Sequence, residues 1–169
     1  MYTAQQDGVG PFAIRYPRGK GVITDWHNEM QALPIGHGRL MNQGEGVAVL
    51  SIGHIGNMVA DVVARLKQQG INVGHYDMIF LKPIDEEILN EATQRYHSLI
   101  TIEDGTVVGG LGSAVAEWLT RHDRTTRLRM LGVQDEFVHQ GTVAELHERC
   151  GMDAQSLEKT IKQMLEHNK

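Results

Sequence analysis

The stretch GVAVLSIG, residues Gly46 to Gly53, decides how this chain is read. Its apolar run is nearly continuous instead of alternating, the mark of a strand covered on both faces in a parallel sheet. A helix follows directly. Ile55, Met58, Val59, Val62, Val63 and Leu66 recur at helical spacing, and Gly70 closes the element as a C-cap.

The same alternation continues toward the C-terminus. Asn72 to Leu81 reads as the next strand, stopped by Lys82-Pro83. Asp85 is placed to cap a helix whose first turn holds Glu86 and Glu87 and whose inner face is Ile88, Leu89, Ala92 and Tyr96. SLITIE, Ser98 to Glu103, is a third strand. The turn Gly109-Gly110-Leu111-Gly112 then leads into a helix carrying Val115, Trp118 and Leu119. Arg127 to Val133 is a fourth strand, Thr142 and Glu145 have capping-box spacing for a short helix to Arg149, and Asp153 caps a last helix striped with Leu157, Ile161, Met164 and Leu165. This rhythm predicts an α/β fold of three layers, α/β/α, around a mostly parallel sheet of about five strands joined by right-handed crossovers.

Toward the N-terminus the pattern loosens. Leu33 to Met41 suits a short edge strand, because Pro34 and two glycines argue against a central one. Phe12 to Tyr16 alternates weakly and stops at Pro17, as a strand would. Met1 to Gly19 therefore reads as the tail end of a preceding domain, residues 20–32 as a linker and residues 33–169 as the domain proper. An opening element without a partner leads us to expect the C-terminal piece of a longer polypeptide.

Composition narrows the partners. The 169 residues suit one domain, with 41% hydrophobic and 22% charged residues and a formal net charge of -5. Lys and Arg are scattered, so no basic stripe exists for nucleic acid. The longest apolar run, Val47 to Ile52, is too short to cross a bilayer, and no charged segment followed by an apolar stretch opens the chain. One cysteine, Cys150, excludes an internal disulfide and fits a reducing compartment. A cytoplasmic protein is expected.

The motifs that could carry chemistry are few. After the first strand the chain reads Gly53-His54-Ile55-Gly56, and Gly110-x-Gly112 is followed by Val115, so neither makes a dinucleotide fingerprint. Neither Gly105 nor Gly110 leads to the Lys and Ser or Thr of a Walker loop. The glycines at 109, 110 and 112 are read as allowing close helix–sheet packing. His139, His147 and Cys150 are the only clustered soft ligands, and His147 with Cys150 on one helix face does not make a zinc site. Cys150 has no base placed beside it and reads as a small buried thiol. Glu103-Asp104 ends a parallel strand, where α/β sheets place ligands. Equally, a carboxylate there could satisfy the amides of the Gly-rich turn, and both readings stay open. Arg15-Tyr16-Pro17-Arg18-Gly19 presents two guanidiniums that suit a phosphate or carboxylate, or interdomain salt bridges.

Several runs acquire meaning together: GPFAIRYPRG (10–19), LPIG (33–36), LKPID (81–85), TIED (101–104) leading into GGLGS (109–113), and DEFVHQGT (135–142). In order and spacing they resemble the 1-deoxy-D-xylulose-5-phosphate synthase family over essentially the whole chain. The resemblance implies the last strand of a pyrimidine-binding domain followed by a transketolase C-terminal-like domain. It also implies a homodimeric transferase of the transketolase family that uses thiamine diphosphate and Mg2+. Such an enzyme condenses pyruvate with glyceraldehyde 3-phosphate and releases carbon dioxide, feeding isoprenoid and thiamine precursor synthesis. The family holds diphosphate and metal with a Gly-Asp-Gly motif and a later Asn. Here Asp104-Gly105 follows Glu103, and the only later asparagine is Asn168. The glutamate that activates the thiamine ring belongs to the family's middle domain. No catalytic, cofactor or metal residue is therefore expected in this chain, which is expected to be inactive alone and to serve as scaffold and dimer interface. One role carries over: the arginine after the family's Tyr-Pro contacts the substrate phosphate, and Arg18 stands there. It would orient the acceptor by charge-assisted binding. Arg15 has no such warrant. The alternative is the C-terminal domain of a 2-oxoacid dehydrogenase β subunit docking an acyltransferase core, and Gln140-Gly141-Thr142 with Tyr16-Pro17-Arg18-Gly19 favours the first reading. A free-standing nucleotide-binding domain is a third reading, and the failed glycine fingerprints count against it.

Overall fold

The side chains of Val47, Ala48, Val49 and Leu50 are fully buried, as a strand covered on both faces requires. The computed structural model describes residues 1–17, 21 and 27–166. The chain divides into two compact units, Met1–Ile35 and Gly36–Lys169. The larger contains strands β1 (Arg39–Asn42), β2 (Val47–Ile52), β3 (Gly74–Asp77), β4 (Ser98–Thr106) and β5 (Arg127–Val133). Its helices are α1 (Ile55–Gln68), α2 (Glu86–Arg95), α3 (Leu111–Arg121), α4 (Val143–Arg149) and α5 (Ala154–Glu166).

The strands form one sheet in the order β1-β3-β2-β4-β5. β2, β3, β4 and β5 run parallel, and β1 joins the edge antiparallel to β3. Alternate β2 side chains serve opposite cores. Val47 and Val49 pack with α1 and α5 residues such as Val59, Val62, Leu157 and Ile161. Ala48 and Leu50 pack with α2 and α3 residues such as Leu89, Ala92, Val115 and Trp118. Two helical layers thus sandwich the sheet, and the expected three-layer architecture is the one observed. α4 has no buried residue.

Helix ends follow their sequence signals. The amide of Ile71 donates to Leu66 O and that of Gly70 to Lys67 O, both at 3.0 Å, with Gly70 at φ 81°. That is the Schellman arrangement, which needs the left-handed residue glycine supplies. Asp85 Oδ1 accepts from Ile88 N at 3.0 Å, and Asp153 Oδ1 accepts from Gln155 N at 2.8 Å. Thr142 and Glu145 complete a reciprocal capping box on α4.

Two expectations fail. β3 ends at Asp77 instead of reaching Leu81. Asp77 Oδ1 accepts from Ile79 N at 3.3 Å and Ile79 takes φ 55°, so a local side-chain turn competes with the ladder. In the smaller unit, residues 11–17 carry no regular secondary structure, although Phe12 to Tyr16 alternate. Alternation alone does not make a strand; a hydrogen-bonded neighbour does. That unit also contains a short 3-10 turn, Thr3–Gln5, and Thr3 Oγ1 accepts from Leu33 N at 2.9 Å.

Candidate functional site

The strand order places β3 on one side of β2 and β4 on the other. β2 feeds α1 and β3, and α2 then crosses to β4. The carboxyl ends of β2 and β4 therefore flank the switch point, where open α/β sheets bind ligands. Glu103, Asp104, His54 and the Gly-rich turn all lie at this edge.

Glu103 is a structural carboxylate. It is buried, and its Oε2 accepts from Leu111 N and its Oε1 from Gly112 N, each at 2.9 Å. The first turn of α3 leaves amides that intrahelical bonds cannot satisfy, and a negative group favours that positive end. Of the two readings of Glu103, the one that spends it on the backbone holds. Ser113 secures the same turn, donating from Oγ to Val107 O at 2.8 Å and accepting from Gly109 N at 2.9 Å. The amides a diphosphate would need here are engaged by the protein itself, so these residues do not fit the phosphate end of thiamine diphosphate.

Asp104 points elsewhere. About a third of its side chain is exposed, and two imidazoles flank it. His54 Nε2 lies 3.3 Å from Oδ2, and His147 Nε2 lies 3.4 Å from Oδ1. His54 sits in the β2–α1 turn and His147 on α4. Sequence spacing concealed this convergence, because the three residues are brought together only by strand pairing and by the docking of α4.

Further into the sheet, His75 Nε2 meets Ser51 Oγ at 2.9 Å. The pair looks like a nucleophile and base, yet both side chains are buried and Gly56 of α1 covers Ser51. Burial pulls the His75 pKa from 6.5 down to about 4, with Arg39 adding to it and Asp77 opposing. A neutral, inaccessible imidazole in the core is a packing element, not a base in use.

The remaining candidates disperse. Cys150 is half-buried and packs against the α1/α5 core, while His147 turns to Asp104, so the two do not share a ligand. Among the described residues, His37, Asp85 and Glu87 bring three ligand atoms within 4.8 Å. Asp85 is already committed, however, with Oδ2 accepting from Gly38 N at 2.7 Å and Oδ1 capping α2. Arg15 is exposed, and Arg18 lies outside the described residues. No helix among the described residues is long and apolar enough to cross a membrane.

Residues 36–157 match the family described as transketolase, C-terminal domain. A 1-deoxy-D-xylulose-5-phosphate synthase of Parabacteroides distasonis is 49% identical over 162 residues, covering 96% of this chain and 26% of that protein. A synthase of the same name from Porphyromonas gingivalis is 49% identical over 167 residues, covering 99% of this chain and 26% of that protein. This chain thus spans about a quarter of the length of these curated relatives. Among solved structures, a split-gene transketolase in an inactive β4 tetramer superposes with TM-score 0.71 at 29% identity, over 80% of this chain and 43% of that one. A Pichia stipitis transketolase mutant shares the fold at TM-score 0.56 and 13% identity, over 78% of this chain and 18% of that one. The parallel sheet, its buried central strand and the matched residues agree, and the chain belongs to the transketolase C-terminal domain family.

Proposed function

We propose that this chain acts as the C-terminal domain of a 1-deoxy-D-xylulose-5-phosphate synthase. The observation that carries the reading is the 49% identity to the Parabacteroides distasonis synthase over 96% of the chain. In this reading residues 33–169 form the domain, 20–32 the linker and 1–19 the tail end of the preceding, pyrimidine-binding domain. The complete enzyme condenses pyruvate with glyceraldehyde 3-phosphate, releasing carbon dioxide, as a cytoplasmic homodimer. Thiamine diphosphate with Mg2+ supplies the means to decarboxylate pyruvate and is held by domains other than this one.

The chain's own part is structural. Its sheet and helices are a rigid platform for the interface between subunits, and Arg18 grips the phosphate of the acceptor aldehyde. A guanidinium suits that task because its planar fork meets phosphate oxygens in pairs and stays charged. What supports a role without cofactor is the use Glu103 makes of the Gly-rich turn's amides. The 2-oxoacid dehydrogenase reading is the weaker one, since relatives at 40 to 49% identity carry the synthase name.

A domain exchange tests the proposal. Replacing the matching C-terminal segment of the Parabacteroides distasonis synthase with this chain should preserve condensation of pyruvate and glyceraldehyde 3-phosphate. A soluble, folded chimera without activity would count against it, as would a stable complex of this chain with an acyltransferase core.

A further inference from the structure

We propose that His122 is a proton-operated clasp that ties the end of α3 to the start of α2 through Glu86. The residue follows the last turn of α3 and stacks on the indole of Trp118, with ring centroids 4.3 Å apart and planes inclined by 24°. Its Nδ1 meets Trp118 O at 2.9 Å. A carbonyl oxygen only accepts, so Nδ1 carries the hydrogen and, in the neutral ring, Nε2 keeps a bare lone pair. Glu86 Oε2 lies 3.7 Å from that Nε2. Two acceptors therefore face each other until a proton arrives.

Glu86 is held in this position. Trp118 is buried, and its Nε1 donates to the same Oε2 at 3.1 Å. One carboxylate oxygen thus serves two stacked rings. Glu86 opens α2, where negative charge is favoured, and His122 ends α3, where positive charge is. Protonation at Nε2 adds three attractions: the pair with Glu86, the pull of the α3 carbonyl end, and a cation on the face of an indole.

Other charges nearby act on the same ring. Arg121, in the last turn of α3, and Arg124, whose guanidinium is 6.0 Å from the Trp118 ring centre, oppose a further cation. Asp123, between them in sequence, favours one. Arg124 also donates to Asn90 Oδ1 at 2.8 Å, a link from the exit of α3 to α2 that is independent of pH. His122 is about one-third exposed and Glu86 about half, so the proton exchanges with water and the gain is moderate. The clasp closes in mild acid and is lost as the pH rises past the ordinary imidazole range, opposite in sense to the burial of His75.

The chain has two tryptophans, Trp26 and Trp118, so a Trp26→Phe protein reports on Trp118 alone. A stacked imidazolium quenches indole emission more strongly than the neutral ring does. Emission should fall in one step as the pH is lowered from about 8.5 to about 5.5, a window that spans imidazole titration. Adding His122→Gln should remove the step. Adding Glu86→Gln should keep it and move its midpoint to lower pH by roughly 0.2–0.7. With both tryptophans in place, the loss of melting temperature caused by His122→Gln should be larger at the acid end of the window by about 1–3 °C. His75 is common to both proteins and cancels from that difference. Emission that ignores pH, a step that survives His122→Gln, a midpoint unmoved by Glu86→Gln, or a melting difference independent of pH each overturns the clasp.

Discussion

Gly110 stands so near Glu103 that a β-carbon at residue 110 would run into the Glu103 carboxylate. The glycine is thus what allows a buried acid to reach the amides of Leu111 and Gly112. Gly110→Ala should displace that acid and leave buried amides unpaired, costing about 2–4 kcal/mol. Urea denaturation measures it. A loss under about 0.5 kcal/mol would mean the turn relaxes freely and the fit is not tight.

Asp85 ties the approach to β1 onto the start of α2 through Gly38 N and Ile88 N. Its truncation strands two donors in a buried setting. Asp85→Ala should therefore cost about 2–3 kcal/mol, more than a solvent-exposed helix cap. Thermal melts of the two proteins decide this, and a shift no larger than that of an exposed-cap variant such as Thr142→Ala contradicts it.

Acid should unfold the chain partly through His75. Its pKa falls from 6.5 to about 4 on folding because burial disfavours the charged ring. Between those values the unfolded chain binds a proton that the folded one refuses. Stability held above pH 6.5 is lost as the pH drops toward 4, by on the order of 3 kcal/mol. His75→Gln should flatten the pH dependence in that window. Parallel curves for the two proteins would assign the acid sensitivity to other groups.

The chain alone should show no saturable binding of thiamine diphosphate in calorimetry with excess Mg2+. Micromolar binding would contradict the proposal that the cofactor is held elsewhere.

In a full-length synthase bearing this segment, Arg18→Ala should raise the KM for glyceraldehyde 3-phosphate by roughly tenfold or more. The KM for pyruvate should change far less. Equal effects on both substrates would remove the phosphate from Arg18's account.

Local signals in the sequence carried much of the architecture. The apolar run at Val47 to Ile52, the helical stripes, Gly70, Asp85, Asp153 and the pair Thr142 and Glu145 all act within a few residues of themselves. Their outcomes could be read because caps and periodicity depend on neighbours close in the chain. Glu103 was half legible: its position beside the Gly-rich turn was plain, but its choice of partner was not.

What the sequence alone determined is the order of strands and helices and the points where helices begin and end, since these rest on short-range backbone hydrogen bonds. Tertiary structure decided the rest. It placed β1 antiparallel at the edge, cut β3 short at Asp77, withheld a ladder from Phe12 to Tyr16, buried His75 against Ser51 and set His54 and His147 around Asp104. Each of those outcomes depends on groups distant in the chain or on a side-chain bond that outcompetes the ladder. Pairwise proximity across strands leaves no fixed spacing in one dimension.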